Sequence, residues 1–559
     1  MEKSSKGVIR YHESTKHRPD RYADSPGFLD WANQPDPFRT FKGSEAIKLP
    51  FIKKDPPGDF DSLFKGREGP AKPFNLESTA AFLELSLSLS AWKSYEGASW
   101  SLRINPSSGN LHPEECYLIL PPLKEGQVKG GLFHYNSYHH HLERRAEFDE
   151  DFWAGISENF RTKGFLAALT SIFWREAWKY GERAFRYSNL DLGHAAGAMS
   201  LSAGLLGWKL TSLSALSDDD IETLLGFDGT EWIEDERDHP GPLYLVHAAT
   251  EEPASRGLPP HLIDSFRQLK FTGKPERLSA GHRGWPLIKE VSLLTRRPAA
   301  GDASPPASPP ATPPDSPPDS NDAGFMIKNP PGVSGAEIIR RRRSGQAYDS
   351  STPMAREDLF AILALTLPRR GYGPFSIFPA EARVHLALFV HRVRGLKSGL
   401  YILVRNKNDV DDLREKLSGE FLWEEAGGKV LPLYLLKEGF FTDEARFICC
   451  NQDIAGDGAF SVAMLARFCD AIEKAPWMYR DLHWEAGVTG QVLYLGAEAR
   501  GFRGTGIGCF YDDLFHEFIG LAGISFQSLY HFTVGSPLED RRVSTLPAYH
   551  HLKGMNQGL

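Results

Sequence analysis

The middle of this chain contains a stretch that no packed core can use. From Pro298 to Asp322 it reads PAAGDASPPASPPATPPDSPPDSND, with no apolar side chain larger than alanine. Such a segment buries too little surface to offset the entropy of ordering it. Its prolines favour an extended, semi-stiff spacer. A linker at 298–322 divides the 559 residues into 1–297 and 323–559, each long enough for a core. With 41% apolar and 12% aromatic residues, both parts are expected to be globular.

The two parts resemble each other. Arg186-Tyr-Ser-Asn-Leu-Asp-Leu-Gly193 lies over Arg480-Asp-Leu-His-Trp-Glu-Ala-Gly487, an offset of 294 that then runs on without a gap. It pairs Leu201 with Leu495, Gly207 with Gly501, Thr211 with Thr505 and Asp218-Asp219 with Asp512-Asp513. The same features recur in order: a helix, a glycine stop, a short strand, an acidic pair opening a helix, and a second glycine stop. Two copies of one fold that alternates helices and strands are therefore expected. Strands are expected at 116–120, 131–135, 384–390 and 399–403, and a helix at 357–367. Leu83 to Ser90 alternates as a strand would, but its place opposite the 357–367 helix makes helix the expectation.

Several function classes are excluded at this stage. The net charge is −8, and the one long basic run is Arg340 to Arg343, which argues against a nucleic-acid partner. The polar N-terminus leads into no apolar core of a signal sequence, and no apolar stretch approaches about eighteen residues. A cytoplasmic location and no membrane association are expected. The five cysteines form no CxxC pair and read as reduced and buried. His134 and His139-His140-His141 have no acid or cysteine at ligand spacing and read as an exposed loop, so no metal is expected. No GxSxG elbow is present.

Three segments carry chemistry as a set. Ile338-Ile-Arg-Arg-Arg-Arg-Ser-Gly-Gln-Ala-Tyr348 offers cations and a hydroxyl suited to a phosphate monoester. Pro106-Ser-Ser-Gly-Asn-Leu-His-Pro113 is a turn of small residues that lets backbone approach a flat ligand. Arg503-Gly-Thr-Gly-Ile-Gly508 is a glycine-rich turn whose N–H groups can meet an anion or a ring heteroatom, without dinucleotide or Walker spacing.

Together these segments resemble the nitroreductase superfamily, with its RRSxR-like start, PSxxN-like turn and late glycine-rich turn. The resemblance implies two tandem α+β domains forming an intramolecular pseudo-dimer with FMN between them. It implies that Arg342 and Ser344 meet the FMN phosphate and ribityl end, with Arg541 or Arg542 as a further phosphate cation. Ser107 and Asn110 would approach the flavin from the opposite half, and Gly506, Ile507 and Gly508 would lie beside the ring. Gln346 stands where the family often has Arg or Lys.

The parts are unevenly kept. The first-half match to the glycine turn reads Lys209-Leu-Thr-Ser-Leu-Ser214, and the second-half match to the PSSGN turn reads Phe375-Ser-Ile-Phe-Pro379. One complete site, hence one FMN per chain, is the expectation. Trp178-Lys-Tyr-Gly-Glu-Arg-Ala-Phe-Arg-Tyr187, with Asp191-Leu-Gly-His194, is similar to SagB/McbC/ThcOx-type azoline dehydrogenases. That similarity implies Lys179 and Tyr180 as catalytic acid/base, a small-molecule or peptide substrate, and O2 as electron acceptor. The alternatives are NAD(P)H-dependent reduction of nitro or quinone compounds, and an FMN-binding scaffold without turnover.

Overall fold

The computed structural model describes residues 2–66, 69–123, 128–299, 333–369, 373–378, 381–428 and 431–552. Beyond its first two residues, the expected linker lies outside the described residues. The first half builds a seven-stranded antiparallel sheet from β1 (Glu45–Lys48), β2 (Glu114–Leu120), β3 (Gly130–Asn136), β4 (His141–Phe148), β5 (Gly164–Ser171), β6 (Trp208–Ser212) and β7 (His239–Ala248). Their order is β1-β4-β3-β2-β5-β7-β6. The second half uses β8 (Val384–Val390), β9 (Gly399–Leu403), β10 (Glu424–Glu425), β11 (Leu433–Glu438), β12 (Phe460–Arg467), β13 (Arg503–Ile507) and β14 (Phe526–Gly535), in the order β10-β11-β9-β8-β12-β14-β13. Six strands repeat one topology, and only the edge strands β1 and β10 enter differently.

Seven helices join the halves or position the site between them. They are α1 (Glu2–Ser14), α2 (Phe173–Tyr180), α3 (Ala184–Leu206), α4 (Asp218–Leu224), α5 (Gly335–Arg341), α6 (Met478–Glu498) and α7 (Asp512–Phe518). Every residue of α3 is buried, as are nearly all of α6, the signature of helices enclosed on all sides rather than amphipathic. They cross where the duplicated glycines meet. A Cβ on Gly193 would lie 2.3 Å from the Trp484 carbonyl oxygen, and one on Gly487 only 2.1 Å from that of Leu190.

Around this crossing the contacts are reciprocal, as two-fold pairing requires. Arg186 on α3 reaches Asp512 of α7 at 2.7 Å, and its counterpart Arg480 on α6 reaches Asp218 of α4 at 2.8 Å. Both carboxylates are buried. Burial raises the Asp512 carboxyl, but Arg183 and Arg186 outweigh that and hold it well below the usual carboxylate range. Breaking such a pair from one side costs about 3–5 kcal/mol. Segments also cross between halves. Ala336, Ile338 and Ile339 of α5 pack into the first-half core. His12 of α1 hydrogen-bonds Tyr479 and Gln527 of the second half. Strand Ser544–Leu546 adds to the first-half hairpin Leu89–Tyr95/Ala98–Arg103.

Three sequence expectations are corrected, the first being that all five cysteines are buried: Cys450, Cys469 and Cys509 are partly exposed. The 83–90 segment is not one helix: helix Leu76–Glu84 ends there and strand Leu89–Tyr95 begins after a turn. The Ser86 and Ser88 hydroxyls donate to the Phe82 and Glu84 carbonyls, capturing helix-end acceptors while Leu85 and Leu87 stay in the core. The histidines do not form an exposed loop. His134 is fully buried on β3, 2.8 Å from Glu115 and 2.9 Å from Glu143. Burial alone would lower it, but those two carboxylates raise it to about 9. His140 is buried against the Tyr135 hydroxyl, and only His139 is exposed. The strands expected at 116–120, 131–135, 384–390 and 399–403 and the helix at 357–367 are present within a residue or two.

If the glycine crossing holds the halves together, Gly487→Ala should destabilise the protein by about 1–3 kcal/mol through overpacking against backbone. Gly229→Ala, whose Cβ meets nothing within 4 Å, should be close to neutral. Thermal unfolding of the two variants checks this.

Candidate active site

A cavity of about 290 Å³ lies between the halves. The first half contributes the turn Pro106 to Gly109 together with Tyr180, Tyr187, Asp191 and His194. The second contributes Ser344, Gln452, Tyr494, Tyr530 and the run Thr505 to Cys509. Of the residues singled out from sequence, Ser107, Tyr180, Ser344, Gly506, Ile507 and Gly508 therefore share one lining.

Glycines permit this closeness at two points. Gly109 has φ +58, and a Cβ there would stand 2.6 Å from the Tyr180 hydroxyl and 3.1 Å from Lys179 Nζ. The PSSGN turn and the Lys-Tyr pair, about 70 residues apart in sequence, thus press on one another only because position 109 lacks a side chain. A Cβ on Gly506 would lie 1.7 Å from Tyr530 Oη. The Gly506 N–H donates to Tyr494 Oη at 3.0 Å, and Tyr494 Oη also lies 3.0 Å from Ser344 Oγ. The Gly508 carbonyl accepts from Tyr187 Oη at 3.0 Å and from Arg183 at 3.2 Å.

The Ser344 end is cationic. The buried Arg342 guanidinium donates to the Ile104 and Arg103 carbonyls and lies 5.1 Å from the Tyr494 ring. Arg343 donates to Ser90 O. Neither forms an ion pair among the described residues. Burial lowers Arg342, and burial together with Arg342 pushes Arg343 down to about 10. Lys93 is lowered by burial and by Arg343. Uncompensated cations beside a serine hydroxyl suit the phosphate of a mononucleotide, and tyrosines with glycine backbone suit a flat ring.

Six singled-out residues are outside the lining: Lys179 and Arg342, which stand next to it, and four that sit elsewhere. Asn110 donates to Ser101 O and receives His112 Nε2 at Oδ1, so its amide shapes the turn rather than facing the cavity. Gln346 and Arg541 are exposed, and neither lines the cavity. Arg542 pairs with Asp540 and covers the Tyr95 ring.

The opposite end holds protons. Asp191 accepts from the Ser108 N–H at 2.9 Å and the Ser108 hydroxyl at 3.0 Å, and burial with Glu114 pushes its carboxyl up to about 8. Burial and Glu176 raise the Tyr180 phenol well above its ordinary value. Burial lowers His194 to about 3, leaving a neutral ring 3.1 Å from Tyr530 Oη. The role of His194 was not read from sequence, although the duplication carries a signal: its counterpart is Val488.

At the two-fold-related position the space has closed to about 30 Å³. Ser212 and Leu213 replace Gly506 and Ile507, while Ile377 and Phe378 occupy the side where the PSSGN turn would stand. Arg297 grips Asp481, the counterpart of Tyr187, through two hydrogen bonds of 2.9 and 3.1 Å. A larger groove of about 470 Å³ opens beside Trp174, Trp285 and Arg296 and holds none of the singled-out residues.

The model of the Nitroreductase family matches twice, over residues 95–234 and 339–536, more than half of the chain. The chain belongs to the nitroreductase family. As a tandem member, it is a flavin-type oxidoreductase by family. The crystal structure of an Anabaena variabilis protein assigned as a nitroreductase shares the fold along 95% of this chain and 99% of its own, with TM-score 0.66 and 23% identity. The trifolitoxin-processing protein TfxB of Rhizobium leguminosarum bv. trifolii is 29% identical over 131 residues, which cover 22% of this chain and 35% of that protein. Among the described residues, no helix is long and apolar enough to cross a membrane, and no cluster could hold a metal ion.

Asp191 gives a pH prediction. With a carboxyl near 8 folded against about 3.9 unfolded, the native state binds the extra proton between those values, so its stability falls as pH rises through that window. Asp191→Asn should match the parent near pH 4 and exceed it by about 1 kcal/mol or more at pH 8. Chemical denaturation at the two pH values reads the difference.

Proposed function

We propose that the cavity holds one FMN per chain and that the enzyme oxidises azoline-type rings, thiazolines or oxazolines, in a peptide or related substrate. The observation that carries this reading is the meeting of Lys179 and Tyr180 with the PSSGN turn at the cavity wall. The Ser344 end, with Arg342 and Arg343 behind it, would take the phosphate. The Thr505 to Cys509 backbone would border the ring, and Ser107 would approach from the opposite half. The filled counterpart supports one flavin rather than two. Bound FMN supplies two-electron chemistry by accepting a hydride from substrate.

The chain's own residues handle the proton. Tyr180 Oη keeps its hydrogen at neutral pH because burial disfavours the phenolate. Lys179 Nζ lies 5.2 Å from the centre of the Tyr180 ring, and one of this pair would take the proton that the substrate loses along with its hydride. Asp191, its carboxyl raised to about 8, would pass a proton on through the Ser108 hydroxyl. The partial match to a trifolitoxin-processing protein supports a processing role.

Azoline oxidation should fall about 100-fold or more in Lys179→Ala and Tyr180→Phe while flavin content is kept, the scale of lost acid–base catalysis. Unchanged turnover in both variants would overturn the assignment. Rapid bleaching of the flavin by NAD(P)H without oxygen, with no azoline oxidation, would instead indicate a nitro or quinone reductase.

A further inference from the structure

Cys509 closes one side of the cavity, immediately after the glycine turn. Its sulfur lies 2.8 Å from that of Cys450, 59 residues earlier in the chain. Both cysteines are free, and the sulfurs already touch, with about 0.75 Å to close to reach a disulfide bond of about 2.05 Å. The two loops are built to meet. Cys450 and Asn451 both take positive φ, +56 and +58, which turns the chain sharply after helix Thr442–Ile448. The Gln452 amide then donates to the Cys449 carbonyl at 2.8 Å and to the Cys509 carbonyl at 3.1 Å, tying one loop to the other.

The surroundings distinguish the two sulfurs. Cys450, beside Tyr22, and His17 each hydrogen-bond the Cys509 sulfur, and Arg183 adds a positive field. Cys450 foremost, against burial, and then His17 and Arg183 lower the Cys509 thiol and so favour its thiolate. Cys450 is pushed the other way by the same contact and stays a thiol. A thiolate in reach of a thiol partner, with a cation nearby, is the arrangement of reactive rather than structural cysteine. Cys449 differs: it is buried against His531 and raised by burial, so it is inert.

We propose that Cys450 and Cys509 are a redox-active dithiol that exchanges two electrons with the flavin in the adjoining cavity. In the oxidative direction the Cys450 S–H breaks, its proton leaves, and an S–S bond forms between the sulfurs. The two electrons released reduce the oxidised flavin, which takes up the proton. In reverse, reduced flavin cleaves the disulfide. The pair thus gives the enzyme a second electron port, open to thiols and disulfides outside through the partly exposed Cys450. This rests on the flavin reading only for the electron acceptor; disulfide formation itself does not require it.

Two measurements test it. Full-length protein treated with diamide, then digested without reductant, should yield a peptide pair joined through Cys450 and Cys509, absent from Cys450→Ser and lost on adding dithiothreitol. Anaerobic dithionite titration of the oxidised holoenzyme should consume four electron equivalents per flavin, against two in Cys450→Ser, because a disulfide takes two more. No crosslinked pair would overturn the dithiol. A crosslinked pair with only two equivalents consumed would overturn its exchange with the flavin. Protein that carries no flavin would still show or lack the crosslink, so failure of the flavin reading is separately visible.

Discussion

Where α3 crosses α6, Gly193 and Gly487 let two backbones touch, and every other relation between the halves follows from that contact. Without side chains at the crossing, both helices bury all their faces, each against its own sheet and against the other. The approach brings Arg186 to Asp512 and Arg480 to Asp218, two buried pairs related by the same pseudo-two-fold. Each pair satisfies a buried charge that removal of its partner would leave stranded. The crossing also sets the distance between the PSSGN turn and the glycine turn, and that distance is the cavity.

Duplication produced two equivalent positions, and divergence treated them differently. On one side glycine, serine and tyrosine keep an open, polar space. On the other Leu213, Ile377, Phe378 and the Arg297–Asp481 pair convert the equivalent space into packing. A homodimer cannot do this, because a change in one copy appears in both sites. Fusion frees the second position to contribute stability, and it lets α1 and the residues just after it specialise: Thr15 accepts from Arg186, and Lys16 pairs with Asp513. This segment, which carried no chemical reading from sequence, buttresses the wall that carries Cys509.

Much of this was legible in the sequence, for identifiable reasons. The offset of 294 matched Gly193 with Gly487, Arg186 with Arg480 and Asp218 with Asp512, although only the fold shows that these residues cross and pair. Ser107, Ser344 and Gly506 to Gly508 were legible because glycine and serine at turns have few other reasons to cluster. Asn110 and Arg542 were assigned by resemblance, and local partners hold them: His112 and Ser101 for one, Asp540 for the other. Burial explains the rest. Nothing in the sequence near His134 announces that Glu115 and Glu143 enclose it, and nothing joins Cys450 to Cys509 until the loops fold together. Ser86 and Ser88 ended a helix by hydrogen bonds that an alternating pattern does not reveal.

The central claim is that two fused copies keep one working site. The most direct measurement is the ratio of released FMN to polypeptide, from the absorbance of the denatured holoenzyme against protein mass. The account predicts one FMN per chain, with the ratio collapsing when Gly506→Leu fills the open side and unchanged when Ser212→Gly relieves the closed one. Two FMN per chain, or one that survives Gly506→Leu, would contradict it.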